Sequence, residues 1–546
     1  MAASKDQSPD IALATLTSSQ TEHDVNPADP SSIEAPPDTP EPIYPTGLKF
    51  FIITISVGLV LILGGLDLNV VATAVPAITD HFHTVADVGW YAAAYRLTTC
   101  AFQFFFGKLY KLFAIKWVFL ASIVIFMCGS VLCASASSSK MFVLGRAVCG
   151  LGCSGGIAGC FIILTQICSP QKRPLMTSLF GLIEAVASIC GPILGGVLTQ
   201  RLSWRWCFWI ALPIGGITLP AIAFTLDVPR EQDATKYTWK EIIIQLDPVG
   251  NLIFVPSMTC LFIALSWAGT KYSWSDPKVI GLLVTFAVLS VIFILDQRRK
   301  GDDAILPMRI LKQRTVIAAL IFSVCCNSSL EVIEYYMPTY FQIVRGYPPA
   351  KSGLMMLPVI GGGMAGMLLF GSGTTVIGYY TPFMLLSSIT MPVAAGLMTT
   401  WRTTSSTGKL ISCSLFAGFA TCLGIMAPQS AVQNFLDPKD VPLGIALVSF
   451  THNFGPALVI AVGQTILTNR LVANLKDAIP GLSANVIDNV GLSELQTNVT
   501  PQNMQKVLFG VDGAVIQTWY LAIALTCVSI VGSLLMEWKS VKQKKN

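Results

Sequence analysis

The sequence predicts an all-α polytopic membrane protein, and three observations support this. Hydrophobic residues make up 53% of the 546 residues and charged residues only 12%, whereas soluble domains carry roughly 25% charged residues. The apolar residues fall into repeated blocks of about 20, the length that an α-helix needs to cross a bilayer. The short alternating segments that are typical of a transmembrane β-barrel do not occur in the sequence.

Composition also excludes several classes of function. The net charge is only +5, and no basic tract is interleaved with aromatic residues, so we expect no nucleic-acid partner. The fifteen cysteines lie within or beside apolar runs, and no Cys/His spacing resembles a zinc site, so we expect neither a disulfide framework nor a metal. No phosphate-binding Gly-x-x-x-x-Gly-Lys-Ser/Thr loop occurs, so we expect no ATP-driven cycle and no cofactor.

The chain begins with a polar tail, residues 1–46, which is rich in Ser, Pro, Asp and Glu and is predicted to be disordered. No cleaved signal peptide is expected, and the first spanning helix would act as the signal. Fourteen apolar stretches near the length of a spanning helix follow. Their approximate limits are 48–76, 87–107, 116–136, 141–168, 174–200, 205–226, 245–268, 278–296, 315–341, 352–373, 376–400, 409–430, 441–469 and 514–537.

The distribution of Lys and Arg predicts the orientation. With both termini in the cytoplasm, 21 of the 35 basic residues lie on the cytoplasmic side and 12 lie outside. The remaining two, Arg96 and Arg146, lie within spans. Cytoplasmic loops carry an excess of basic residues, so both termini are predicted to be cytoplasmic. The longest external loop is then 470–513, in which Asn498 begins an Asn-Val-Thr sequence and is a candidate glycosylation site.

The spans are arranged as six helices, an extra pair and six more helices. An N-terminal half is predicted at 47–227, a linker with the two extra helices at 228–314 and a C-terminal half at 315–537, followed by a basic cytoplasmic tail at 538–546. Two six-helix halves are typical of transporters that rock around a substrate held at mid-membrane.

One stretch of the fifth span, residues 184–196, is unusual. Gly191 and Gly195 are four residues apart and share a helix face, which lets a neighbouring backbone approach closely. Pro192 removes a backbone donor and is expected to bend the helix. Glu184 continues the same face, and a carboxylate in a membrane helix usually marks a transport pathway or a proton relay. The alternative is that this face serves only helix packing.

Several motifs along the chain carry a family resemblance. They are Leu66-Asp-Leu-Asn-Val-Val-Ala-Thr-Ala-Val-Pro76 in the first span, Asp87-Val-Gly-Trp-Tyr-Ala-Ala-Ala-Tyr-Arg-Leu97 in the second, Gly145-Arg-Ala-Val-Cys-Gly-Leu-Gly152 in the fourth, Gly191-Pro-Ile-Leu-Gly-Gly196 in the fifth and Ser203-Trp-Arg-Trp-Cys-Phe-Trp209 at the sixth. With them, residues 60–470 resemble the fourteen-span drug:proton antiporters of the major facilitator superfamily in fungi, a group that includes toxin and secondary-metabolite efflux pumps. The fifth-span sequence, which includes Gly196, resembles the antiporter motif of that group.

One motif departs from the superfamily pattern. In the segment 107–116, Tyr110 or Lys111 stands where the superfamily usually has an acidic residue. The resemblance therefore supports the fold. It does not imply that this loop forms the ionic contact between the second and third helices that is usual in the superfamily.

The resemblance implies proton-driven transport, which requires a titratable group within the membrane. The candidates are Asp67, Arg96, Arg146, Glu184, Glu331, Glu334 and His452. Glu331 and Glu334 are three residues apart and share a helix face. The resemblance implies a role in proton coupling for Arg146. Each candidate also has a structural interpretation, such as a solvated helix end for Asp67 or a satisfied polar contact for His452.

These observations predict a secondary active transporter, not an enzyme. It would export a small hydrophobic or amphipathic organic compound, a toxin, secondary metabolite or drug, in exchange for protons by alternating access. The alternative is a siderophore or nutrient importer of the same fold, because a fold does not determine substrate or direction. The expected partners are the small-molecule substrate, protons and the lipid bilayer. We expect a monomer in the plasma membrane, with the vacuolar membrane as the alternative.

Overall fold

The computed structural model describes residues 44–84, 87–226, 238–268, 272–475 and 501–542. Within these ranges the chain is helical, and its one extended pairing is an isolated bridge between Ala268 and Tyr272. The predicted all-α fold is confirmed. Asn498 and most of the predicted N-terminal tail lie outside the described residues.

The first six predicted spans are formed by eight helices. They are α1 (Gly47–Phe82), α2 (Val88–Ala101), α3 (Gln103–Leu112), α4 (Ile115–Ala134), α5 (Ser139–Ile167), α6 (Arg173–Arg201), α7 (Trp206–Trp209) and α8 (Ala211–Thr225). The second span is interrupted at Phe102, whose φ of −99° and ψ of 3° are not helical. In the described part of the chain, thirteen helical segments are long and apolar enough to cross a membrane. The two helices of the interrupted second span, α2 with 14 residues and α3 with 10, are too short to be among them.

The extra pair of helices lies where the two halves meet. The segment comprises α9 (Trp239–Gln245), α10 (Pro248–Trp267), α11 (Pro277–Lys300) and, after a 3-10 turn at Gly301–Asp303, the short α12 (Met308–Leu311). Phe254 of α10 contacts the rings of Phe104 in the N-terminal half and Phe450 in the C-terminal half, with centroids 5.3 and 5.9 Å away. The extra pair therefore packs on both halves.

In its described residues, the C-terminal half contains eight helices. They are α13 (Arg314–Thr339), which continues as a π-helix at Tyr340–Val344, then α14 (Pro349–Leu354), α15 (Leu357–Ile377), α16 (Thr381–Thr399), α17 (Thr407–Ile425), α18 (Ala427–Phe435), α19 (Val441–Leu475) and α20 (Pro501–Leu535).

Two boundaries in this half differ from the prediction. The sequence predicts the break between the tenth and eleventh spans at residues 373–376, but α15 continues to Ile377 and ends at Gly378, which adopts a left-handed φ of 89°. A side chain at Gly371 would lie 2.7 Å from the side chain of Ser178 on α6, so this glycine permits close helix packing rather than a break. The last helix begins at Pro501 rather than 514, because it extends beyond its apolar stretch. The predicted external loop 470–513 is thus helical in its described parts.

The glycines of the fifth span hold α6 against α1. A Cβ atom at Gly191 would lie 2.8 Å from the Cβ of Asn69, and one at Gly195 would lie 2.9 Å from the carbonyl oxygen of Val70. A Cβ at Gly196 would meet no atom within 4 Å. Two of the three glycines are therefore required for packing, since nothing larger fits between the two backbones.

Contacts between the halves close the end that the charge distribution assigns to the cytoplasm. Asp440, at the start of α19, is 2% exposed. It accepts hydrogen bonds from Lys111 of α3 at 3.0 Å and from Arg309 of α12 at 2.7 Å. Nearby, the guanidinium of Arg173 on α6 donates to the carbonyl oxygen of Gln433 at 2.7 Å. The Asp440 carboxylate thus joins three parts of the chain: the N-terminal half, the segment after the extra pair and the C-terminal half.

The ionisation of Asp440 follows from these contacts. Burial tends to raise the pKa of the Asp440 carboxyl, but the hydrogen bonds and charges of Lys111 and Arg309 outweigh burial and hold this pKa below its ordinary value of 3.8. The carboxyl is therefore ionised at neutral pH. A lowered pKa stabilises the folded state above the ordinary value, and this stabilisation is lost only as the pH falls through the lowered pKa.

We predict that Gly195→Ala destabilises the protein and that Gly196→Ala does not. The added methyl group at position 195 collides with the backbone of α1, and such overpacking costs about 1–3 kcal/mol. At position 196 there is free space, and alanine favours the helix. Thermal unfolding in detergent would measure the stability of both variants relative to the wild type. Equal stabilities would contradict the α1–α6 packing.

We predict that Asp440→Asn loosens the closed end. Both cations are partly exposed, with Lys111 at 24% and Arg309 at 47%. The substitution should therefore lower the free energy of unfolding by about 1–2 kcal/mol, less than the loss of a fully buried ion pair would. Hydrogen–deuterium exchange should become faster at the ends of α3 and α19. Asp437→Asn is the matched control, because Asp437 is exposed. Equal exchange in the two variants would exclude this ion cluster as the closing contact.

Candidate functional site

A cavity of about 370 Å³ lies between the two halves. Its walls come from α1, α2, α5 and α6 on one side and from α13, α15, α17, α18 and α19 on the other. The volume is within the range of pockets that hold drug-sized ligands. Five of the seven candidate residues from the sequence border it, namely Arg96, Glu184, Glu331, Glu334 and His452.

An ion pair crosses the cavity between the halves. The guanidinium of Arg96 on α2 lies 3.3 Å from Glu331 on α13, and the two side chains are 30% and 33% exposed. Arg96 therefore borders the cavity. Gln103, two helical turns further on, does not share this position and instead accepts a hydrogen bond from Ser154 at 3.2 Å.

The other two cavity carboxylates have no such partner. Neither Glu184 on α6 nor Glu334 on α13 forms a hydrogen bond or ion pair with another described residue. They lie on walls that belong to different halves. Both side chains are partly buried, and a carboxylate within a membrane is costly without a partner. Both are therefore available to a ligand or to a proton.

Asp67 and Arg146 lie together behind the cavity wall. Their side chains are 2.6 Å apart and only 6% and 0% exposed. Arg146 also donates from Nε to the carbonyl oxygen of Tyr91 at 2.9 Å. The interpretation of Asp67 as a solvated helix end is wrong, because the helices around it exclude solvent.

Tyr95 connects this buried pair to the cavity. The Cζ atom of Arg146 lies 4.5 Å from the centroid of the Tyr95 ring, a distance suited to a cation–π contact. The Tyr95 side chain also borders the cavity. The Tyr95 ring thus lies between the buried pair and the cavity. A change in the charge of Asp67 or Arg146 would alter the contact between Arg146 and this ring.

The antiporter motif has a different place. Gly191, Pro192, Gly195 and Gly196 are not among the residues that border the cavity, whereas Glu184 and Ser188 of the same helix are. The motif therefore supports the site from behind, by holding α6 against α1.

Several residues that sequence reasoning missed also form the site. Four methionines border the C-terminal side, namely Met364 and Met367 of α15, Met356 just before α15 and Met426 just before α18. Gln429 borders the cavity as well; it is only 5% exposed, and its Nε2 atom has no hydrogen-bond partner in the part of the chain that the structure describes. The signal for Gln429 was present, since it is a polar residue within a predicted span. The methionines could not be distinguished from lipid-facing residues by pattern alone.

Among the residues described in the structure, no group of three or more His, Cys, Asp or Glu side chains is placed to hold a metal ion.

Known proteins resemble this chain along most of its length. An efflux pump of the major facilitator type from Arthroderma benhamiae is 41% identical over 92% of this chain and 93% of its own. The efflux pump aflT from Aspergillus parasiticus is 37% identical over 92% of this chain and 98% of its own. The efflux pump roqT from Penicillium rubens is 35% identical over 95% and 97%.

Solved structures show the same fold at low sequence identity. A double Trp mutant of XylE superposes with a TM-score of 0.58 at 13% identity, covering 90% of this chain and 97% of its own. The human organic anion transporter MFSD10 gives a TM-score of 0.55 at 12% identity, covering 87% and 100%. The model of the Major Facilitator Superfamily matches residues 57–460. With its helical halves and the cavity between them, this chain is an integral membrane transporter for small molecules that belongs to the Major Facilitator Superfamily.

Proposed function

We propose that this protein exports a small hydrophobic or amphipathic organic compound in exchange for protons. The observation that carries the proposal is the cavity between the halves, to which both halves contribute ionisable side chains. Such a site can be exposed to one side of the membrane and then to the other as the halves rock. The relatives that are named efflux pumps support the outward direction.

Proton exchange requires groups that gain and lose charge within the membrane. Glu184 and Glu334 border the cavity without partners, so a proton and a substrate would compete for them. The buried pair of Asp67 and Arg146 would respond to a proton by breaking its ion pair. At a potential of 100 mV one inward charge contributes about 2.3 kcal/mol, which supports a roughly 50-fold concentration gradient of a neutral substrate.

The proposal extends to location and assembly. The plasma membrane is the membrane at which export removes a compound from the cell. A monomer is sufficient, because both walls of the cavity come from one chain.

We predict that cells with this protein accumulate less of a labelled hydrophobic compound than cells without it, and that a protonophore abolishes the difference. Glu184→Gln should reduce export, because its side chain can no longer release a proton. Glu537→Gln is a matched control, since Glu537 contacts Lys539 beyond the end of α20 rather than the cavity. Export that survives the protonophore would refute proton exchange, and unchanged export in Glu184→Gln would remove this residue from the mechanism.

We predict that Asp67→Asn and Arg146→Gln each destabilise the protein, by about 3–5 kcal/mol, because each leaves a buried charge without its partner. The double variant should cost less than the sum of the two. Thermal unfolding in detergent measures the three values, and additive costs would contradict the ion pair.

Export by the double variant should also lose the wild-type dependence on external pH. A retained pH dependence would exclude the pair from proton coupling.

A further inference from the structure

We infer that a groove between α19 and α20 binds a phosphate-bearing sphingolipid, with the lipid phosphate at Arg470 and the lipid amide at Gln517. The groove has a volume of about 560 Å³. It lies at the end of the two helices that the charge distribution assigns to the outside. None of the described residues that line it borders the central cavity. Lipid binding in this groove is therefore separate from the proposed transport of a substrate through the cavity.

The register between α19 and α20 gives the depth of the two polar residues. The helices run in opposite directions, and near their outer ends Nδ2 of Asn474 donates to the carbonyl oxygen of Gly510 at 3.1 Å. A helix rises about 1.5 Å per residue. From this contact, Arg470 lies about 6 Å further inward along α19 and Gln517 about 10 Å further inward along α20. Gln517 is therefore about 4 Å deeper in the bilayer than Arg470.

The lining of the groove changes from polar to apolar in the same direction. Asn469 and Arg470 are exposed near the outer end. Ile466 lies one helical turn below Arg470, and Leu521 lies one turn below Gln517. A lipid has the same order, because its headgroup lies at the surface of the bilayer and its chains lie in the hydrocarbon core. The groove thus matches the polarity of a lipid from headgroup to chain.

Arg470 supplies the charge that selects a phosphate. Its side chain is exposed and forms no ion pair or hydrogen bond with another residue in the described part of the chain. No acidic side chain is among the described residues that line the groove, so the guanidinium is not neutralised there. A guanidinium matches a phosphate through two parallel N–H···O hydrogen bonds. We therefore expect a lipid phosphate at this position.

Gln517 distinguishes one class of phosphate lipid from another. Its side chain lines the groove, and its Oε1 atom is buried without a hydrogen-bond partner among the described residues. An unsatisfied acceptor is costly, so a bound molecule that donates a hydrogen bond here is favoured. Below its phosphate, a glycerophospholipid carries esters, which only accept hydrogen bonds. A sphingolipid carries an amide N–H and a hydroxyl group there, which donate, and this order agrees with the depth of Gln517 below Arg470.

The test is competition between two lipids that share a phosphocholine headgroup, sphingomyelin and phosphatidylcholine. Equal amounts of the two, with chains of matched length, are added to the purified full-length protein in detergent. Native mass spectrometry then measures how much of each lipid is bound. We expect about three- to tenfold more bound sphingomyelin than phosphatidylcholine, which is the effect of one hydrogen bond. An arginine that contacts lipid phosphates without selecting a lipid would give equal binding.

Two variants separate the two contacts. Gln517→Leu should abolish the preference for sphingomyelin and leave phosphatidylcholine binding unchanged, because only the acceptor is removed. Arg470→Gln should weaken binding of both lipids by about tenfold, because both phosphates lose the same charged donor. Arg201→Gln is the matched control, since Arg201 is an exposed arginine at the end of α6 and does not line the groove. Thermal unfolding would verify that each variant is folded.

Equal binding of the two lipids, binding of neither lipid, or a preference that survives Gln517→Leu would overturn the inference. Unchanged binding of both lipids in Arg470→Gln would also overturn it, because the lipids would then bind elsewhere on the protein. None of these measurements involves export. Any of the four outcomes would leave the proposed function standing and reject only the sphingolipid site.

Discussion

The hydrocarbon interior of the bilayer offers no hydrogen bonds, and most features of this structure follow from that constraint. Each backbone donor and acceptor must be satisfied within its own segment, so the chain crosses as helices. Charged side chains must likewise find partners inside the protein. Asp67 and Arg146 do so at 2.6 Å behind the cavity wall, and Arg96 and Glu331 do so at 3.3 Å across it. The carboxylates left without partners, Glu184 and Glu334, are therefore conspicuous.

Helix packing in this protein depends on small residues rather than on hydrophobic burial, because lipid is as apolar as the helices themselves. Gly191 and Gly195 bring α6 onto α1. Between α15 and α17, a Cβ at Gly366 would lie only 2.9 Å from the backbone nitrogen of Leu423. Such contacts hold the helices of each half close together. The cavity lies at the boundary between the two halves.

Much of this organisation could be predicted from the sequence. The length and apolarity of each segment gave the all-α fold, and the rarity of charge within spans identified the cavity residues Arg96, Glu184, Glu331, Glu334 and His452. Sequence spacing could not show which carboxylate Arg96 would neutralise, because that contact joins residues 235 positions apart. Nor could it locate Asp67 behind the wall, which depends on how α1, α2 and α5 pack. The break at Phe102 and the continuation of α15 past Gly371 were missed because local conformation and tertiary contact decided them.

The segment that follows the extra helix pair touches both halves at their closed end. Arg309 of this segment donates to Asp440 of the C-terminal half, and Lys108 of the N-terminal half donates to the carbonyl oxygens of Asp302 and Asp303, each at 3.4 Å. Separation of the halves at this end would break at least one of these sets of contacts. This segment thus opposes separation of the halves at this end. Displacement of this segment and opening at this end are therefore thermodynamically coupled. A molecule or modification that displaced the segment would favour opening, and opening would favour the displacement by the same free energy.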